Sequence, residues 1–86
     1  MFIKAIAVAA VLVAASAPAM AQSRACDRLY REYVGSDAPK AWAIGPEGCG
    51  YASARSSSSV HEARARAYAS CAENSRACLV TQEERR

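Results

Sequence analysis

The sequence predicts a small α+β domain in which a helix, a two-stranded hairpin, a second helix and a final strand follow one another. Two patterns carry this prediction. Apolar residues recur at helical spacing in two segments, and short alternating segments flank turn residues between them. An even number of cysteines adds a third observation, because small domains use disulfides to compensate for a thin core. Helices and strands mixed in this order are typical of the α+β class.

The first helix is predicted from Arg24 to Val34. We expect Gly35 to end it in the left-handed conformation common at helix C-termini, and Pro39 prevents the helix from resuming. Four apolar residues at positions i, i+3, i+4 and i+7 share one face of it: Cys26, Leu29, Tyr30 and Tyr33.

A β-hairpin is predicted next, with strands Ala41–Ile44 and Gly50–Arg55 joined by the turn Gly45–Gly48. Trp42 and Ile44 share one face of the first strand, and a lone hairpin is marginal in water, so one face must pack on a helix. The sequence leaves open which face that is. In the second strand, one face carries Tyr51, Ser53 and Arg55 and the other carries Ala52 and Ala54.

The second helix is predicted from Val60 to Asn74. Ser59 and Glu62 have the spacing of a capping box, and Glu62 is placed to pair with Arg66 one turn later. A short strand is expected at Ala77–Thr81, followed by a frayed tail at residues 82–86. The helix face expected to meet the hairpin consists of Val60, Ala63, Ala67, Tyr68 and Cys71.

The cysteines predict two disulfides. We favour Cys71 with Cys78, because they lie seven residues apart across a predicted turn, and hence Cys26 with Cys49. The other two pairings stay open. No metal or cofactor is expected, because the spacing lacks a Cys-x2-Cys pair and His61 is the only histidine.

Residues 1–21 have the pattern of an export signal, so the working domain is predicted to be residues 22–86. Lys4 precedes the apolar run Ala5–Ala15, and Ala19-Met20-Ala21 is a small-x-small cleavage site before Gln22. The run is well short of the ~20 apolar residues that span a bilayer, so no membrane anchor is expected after cleavage. This short signal predicts a bacterial protein that is periplasmic or secreted.

Four short motifs between Lys40 and Val80 match a known pattern: Trp42-Ala43-Ile44, Gly50-Tyr51-Ala52-Ser53, an alanine-rich helix ending in Ala69-Ser70-Cys71, and Cys78-Leu79-Val80. On these motifs the segment resembles the small exported bacterial family called domain of unknown function 4189. That resemblance implies an exported, cysteine-bearing α+β module and implies no catalytic residues. Two features depart from the family pattern: Cys49 has no counterpart in it, and its members continue with further strand residues after the last matching strand.

The leading functional prediction is a non-enzymatic domain that acts through surface contacts with an envelope component or another protein. The alternative from another class is a small thiol-dependent enzyme or redox protein that uses Cys49 and His61, the one available pair of nucleophile and base. It is disfavoured because an even cysteine count predicts no free thiol. The start of a helix also disfavours a charged imidazole at His61.

A third possibility is a basic module that binds an anionic envelope polymer. The chain has a formal net charge of +3, and Arg55, Arg64 and Arg66 are expected to gather beside Tyr51 and Trp42. Nucleic acid is not expected as a partner, because the positive charges are interspersed with acids. The ligand and the oligomeric state are left open by the sequence.

We expect the exported protein to begin at Gln22 and to carry no free thiol. Intact mass after alkylation, measured with and without reduction, should show no label before reduction and one on every cysteine after it. A thiol that is labelled without reduction would contradict the predicted framework, and peptide mapping would identify it.

Overall fold

The computed structural model describes residues 24–86, so the predicted export signal lies outside the described part. Helix α1 covers residues 24–34. It is followed by strand β1 (Lys40–Ile44), strand β2 (Cys49–Ala52), helix α2 (Val60–Ala72) and strand β3 (Leu79–Glu84). The predicted α+β class and the order of its elements are confirmed.

The three strands form one antiparallel sheet in the order β2-β1-β3, so β1 lies in the middle. Trp42 of β1 is opposite Gln82 of β3, whereas the next residue, Ala43, is opposite Val80. Thr81 is therefore an extra residue in β3, as in a β-bulge.

Small side chains on one face of the sheet allow α2 to pack closely against it. Ala41 and Ala43 are fully buried, and they face Ala63 and Ala67 of the helix, which are also fully buried. The closest approach is at Gly50, where a Cβ atom would lie 2.5 Å from the backbone nitrogen of Cys71. The predicted contact between an alanine-rich helix and the hairpin is confirmed.

The opposite face of the sheet carries aromatic residues and packs against α1. Trp42 is 4% exposed and Tyr33 is 3% exposed. The ring of Tyr30 meets that of Trp42 edge-on, with centroids 5.0 Å apart. Both faces of the hairpin are therefore core, and the domain consists of a sheet between two helices.

Each disulfide joins one helix to the rest of the fold. Cys26 of α1 is bonded to Cys49 of β2, and Cys71 of α2 is bonded to Cys78 just before β3. The favoured pairing is the one that the structure contains. By loop-closure entropy, each bridge contributes roughly 2–4 kcal/mol to the free energy of unfolding.

Two predictions, one about the end of α1 and one about the C-terminal segment, were wrong. Gly35 does not adopt a positive φ. Within residues 24–86, the residue with a left-handed backbone conformation is Ala77, whose φ is 53°. The segment 82–84, expected to be frayed, belongs to β3, because it pairs with β1 and because Glu83 contacts Arg64 of α2.

Three other expectations need correction. Strand β2 ends at Ala52, because the backbone turns immediately afterwards and the Ala54 amide donates to the Asp37 carbonyl. Helix α2 ends at Ala72 instead of Asn74. Tyr68 is 50% exposed, because it follows Ala67, which lies at the centre of the helix face that packs on the sheet. The Tyr68 side chain therefore points partly away from the sheet.

In the part of the chain that the structure describes, no helix has both the length and the hydropathy needed to cross a bilayer.

We expect Gly50→Ala to lower the free energy of unfolding by about 1–3 kcal/mol, because the new methyl group would press on the backbone of α2. The matched control is Gly35→Ala, whose Cβ would meet its nearest neighbour at an ordinary 3.6 Å. It should change stability by less than about 0.5 kcal/mol. Urea unfolding of both oxidised variants measures the difference, and equal effects would contradict close packing at Gly50.

Candidate functional site

The structure does not bring together the predicted nucleophile and base. Cys49 is 3% exposed, lies in the cluster under α1 and is bonded to Cys26. His61 is exposed on α2, which packs on the other face of the sheet. Within residues 24–86 every cysteine belongs to a disulfide.

The three arginines predicted to gather are divided among different parts of the surface. Arg64 contacts Glu83 of β3 at 3.2 Å, and Arg66 contacts Glu62 of its own helix at 3.2 Å. Arg55 follows β2, at the opposite edge of the sheet from β3. Trp42, expected beside them, is buried under α1.

Arg55 instead lines a groove of about 500 Å³ between the C-terminal end of α1 and the segment that follows β2. The groove contains a second arginine, Arg31, and two acidic residues, Glu32 and Asp37. Hydroxyl groups complete it, from Ser36, Tyr51 and Ser53. Such a lining suits a polar ligand that offers both acceptors and donors.

The buried ammonium group of Lys40 fixes the chain beside this groove. Its Nζ atom donates to the carbonyl oxygens of Tyr33, Val34 and Ser36, at 2.9, 3.1 and 3.0 Å. It also lies 4.7 Å from the centre of the Tyr33 ring and 3.7 Å from a carboxylate oxygen of Glu84. The carbonyls of Tyr33 and Val34 lie at the end of α1, where they have no intrahelical donor, and that of Ser36 follows the helix. Lys40 therefore serves as the cap that the sequence assigned to glycine.

Tyr51 is tied to α1 across the groove. Its hydroxyl donates to Oε1 of Glu32 at 3.1 Å. Burial raises the pKa of Tyr51 above its usual value, and the bond to Glu32 adds to this rise. The phenol therefore stays protonated at neutral pH and keeps Glu32 in place.

Two other carboxylates hold loops and lie away from the groove. A hydrogen bond from the backbone amide of Arg76 is the main reason that the pKa of Glu47 is lowered, and this hydrogen bond joins the hairpin turn to the loop between α2 and β3. The Ser58 amide lowers the pKa of Glu62 in the same way. In the predicted capping box, Ser59 accepts from the Glu62 amide, but the carboxylate reaches Ser58 instead of Ser59.

Three arginines on the outer side of α1 were not among the predicted site residues. Arg24, Arg28 and Arg31, called the arginine ridge below, are exposed and line a shared shallow depression. Their spacing of i, i+4 and i+7 is the signal that was available in the sequence.

Across residues 24–86, no group of three or more His, Cys, Asp or Glu side chains is arranged to hold a metal ion.

Comparison with protein-family models, with curated proteins and with solved structures finds no match to this chain. The resemblance of Lys40–Val80 to domain of unknown function 4189 therefore stays a prediction from the sequence. Function has to be inferred from the residues of the site itself.

We expect Lys40→Met to lower the free energy of unfolding by about 2–4 kcal/mol, because the carbonyls of Val34 and Ser36 lose the donor Lys40 and that of Tyr33 keeps only the Ser36 amide. The control Glu84→Gln removes the ion pair with an exposed carboxylate and keeps the cap. It should cost less than about 1 kcal/mol. Denaturant midpoints of the oxidised proteins measure both changes, and a larger loss in Glu84→Gln would contradict the capping role.

Proposed function

We propose that the chain is an exported, non-enzymatic domain that acts through surface contacts with a component of the bacterial cell envelope. Its two disulfides indicate an oxidising compartment. The sequence of the predicted export signal further indicates that the protein is cleaved between Ala21 and Gln22 and is then periplasmic or secreted.

The observation that carries the proposal is the state of the arginines on α1. Arg24, Arg28 and Arg31 face solvent, and none of them lies within 4.0 Å of a carboxylate in residues 24–86. Charged side chains turned outward without a partner on the same chain are available to a partner outside it.

The disulfide arrangement supports a binding role over thiol chemistry. A thiol enzyme or redox protein based on Cys49 and His61 needs a thiolate within hydrogen-bond reach of the imidazole. Cys49 is instead bonded to Cys26, and His61 belongs to the helix on the other face of the sheet.

The test is co-sedimentation of the purified, oxidised domain with isolated envelope fragments. We expect the wild-type domain and His61→Ala to sediment equally. The domain that has been reduced and alkylated should stay in the supernatant, because the bond between Cys26 and Cys49 holds α1, which carries the arginines, on the sheet.

Failure of the oxidised domain to sediment would overturn the proposed function. Loss of binding in His61→Ala, or release of a free thiol from Cys49 on contact with the envelope, would favour the thiol alternative.

A further inference from the structure

The positive charges of the domain fall into two groups. Those of the first group each contact a carboxylate, at 3.1 to 3.7 Å: Lys40, Arg64, Arg66 and Arg76. Those of the second contact no carboxylate within residues 24–86, where all eight acidic side chains of the sequence lie: Arg24, Arg28, Arg31, Arg55, Arg85 and Arg86. Arg24, Arg28, Arg31 and Arg55 lie around α1, whereas Arg85 and Arg86 follow β3. Most of the unpaired charge therefore lies around α1.

The arginine ridge is a straight row. At a rise of 1.5 Å per residue, its first and last residues are about 10 Å apart along the helix axis. The row faces away from the sheet, because Cys26, Tyr30 and Tyr33 occupy the opposite side of the helix. A row of guanidinium groups fits a ligand with anionic groups repeated along its length, since each can bind a carboxylate or phosphate in bidentate fashion.

The groove continues the row at its C-terminal end. Arg31 lines both the shallow depression of the ridge and the groove that contains Arg55. Beside these cations the groove presents the carboxylate of Asp37 and the hydroxyls of Ser36 and Ser53. A carboxylate repels an anionic group but accepts hydrogen bonds from hydroxyl groups, so this part of the surface fits a sugar ring.

Two other polyanionic partners fit this surface less well. Single-stranded nucleic acid is bound largely by stacking on aromatic rings, but near the ridge Tyr33 and Trp42 are buried and Tyr51 is tied to Glu32. The exposed ring of Tyr68 belongs to α2, on the other face of the sheet. A membrane-surface helix needs an apolar face to insert, and that of α1 is already packed on the sheet.

We propose that the arginine ridge and the adjoining groove bind an acidic polysaccharide, one whose sugars carry carboxylate groups. The ridge pairs with successive carboxylates of the polymer, and the groove receives the hydroxyl groups of a neighbouring sugar. This inference rests on the proposed function and names the class of envelope component that the domain contacts.

The experiment measures binding of the oxidised full mature chain to an oligogalacturonate by titration calorimetry at low and moderate salt. The triple variant Arg24→Gln, Arg28→Gln, Arg31→Gln should bind at least about ten-fold more weakly and with a smaller salt dependence. The matched control Arg64→Gln, Arg66→Gln, Arg76→Gln removes the same charge from paired arginines. It should change affinity by less than about three-fold.

A second variant tests the groove. Asp37→Ala should weaken binding of the oligogalacturonate and leave binding of inorganic polyphosphate, which has no hydroxyl groups to donate, unchanged or stronger. Stronger binding to both polymers would show that Asp37 only repels anions and would overturn the role of the groove.

Other results overturn the inference as a whole. These are equal losses in the two triple variants, tighter binding to single-stranded DNA or to phosphatidylglycerol vesicles than to the oligogalacturonate, and no binding to the oligogalacturonate. If the domain still sediments with envelope fragments in any of these cases, the proposed function stands and only the polysaccharide assignment fails.

Discussion

The alternation of side chains along β1 determines where the other elements lie. The strand is central, so both of its faces are buried, and successive residues point to opposite faces. Ala41 and Ala43 leave room for a helix on one side, whereas Lys40 and Trp42 fill the space under a helix on the other. A shift by one residue would place Trp42 against the alanines of α2, so the register of β1 is strongly specified.

The two helices are attached by different means because the faces they cover differ. Helix α2 lies so close to the sheet that backbone meets backbone near Gly50, and few large side chains are needed there. Helix α1 rests on aromatic rings, and it is fixed at one end by the bond between Cys26 and Cys49 and at the other by the ammonium group of Lys40. Both ends of α1 are thus held, which gives the arginines on its outer side a fixed spacing.

Much of the fold was predictable because local patterns and packing agree. The start of α2 depends on Ser59 and Glu62, which are close in sequence, and the apolar face of α1 has regular spacing. The extent of β3 was not predictable, because Glu83 and Glu84 belong to the strand only through partners distant in sequence, Arg64 and Lys40. The local sequence of residues 82–86 predicts only a charged, frayed tail.

The candidate site was less predictable than the fold, for a related reason. Arg64 and Arg66 were predicted to gather with Arg55, but which arginines lack a partner depends on which carboxylates the fold brings near them. The helical spacing of Arg24, Arg28 and Arg31 was visible in the sequence. Its significance depends on the absence of carboxylate partners within residues 24–86, which only tertiary structure reveals.

The outer edge of β3 bears on how this domain behaves at high concentration. A sheet edge offers backbone groups to which a strand of another molecule can pair, and Leu79, 68% exposed, adds an apolar side chain at the start of this edge. The bulge at Thr81 interrupts a regular pairing surface, and the charges of Glu83 and Glu84 oppose the approach of a second copy in register. The acidic end of β3 therefore acts as a gatekeeper against aggregation, a role separate from its contacts with Arg64 and Lys40.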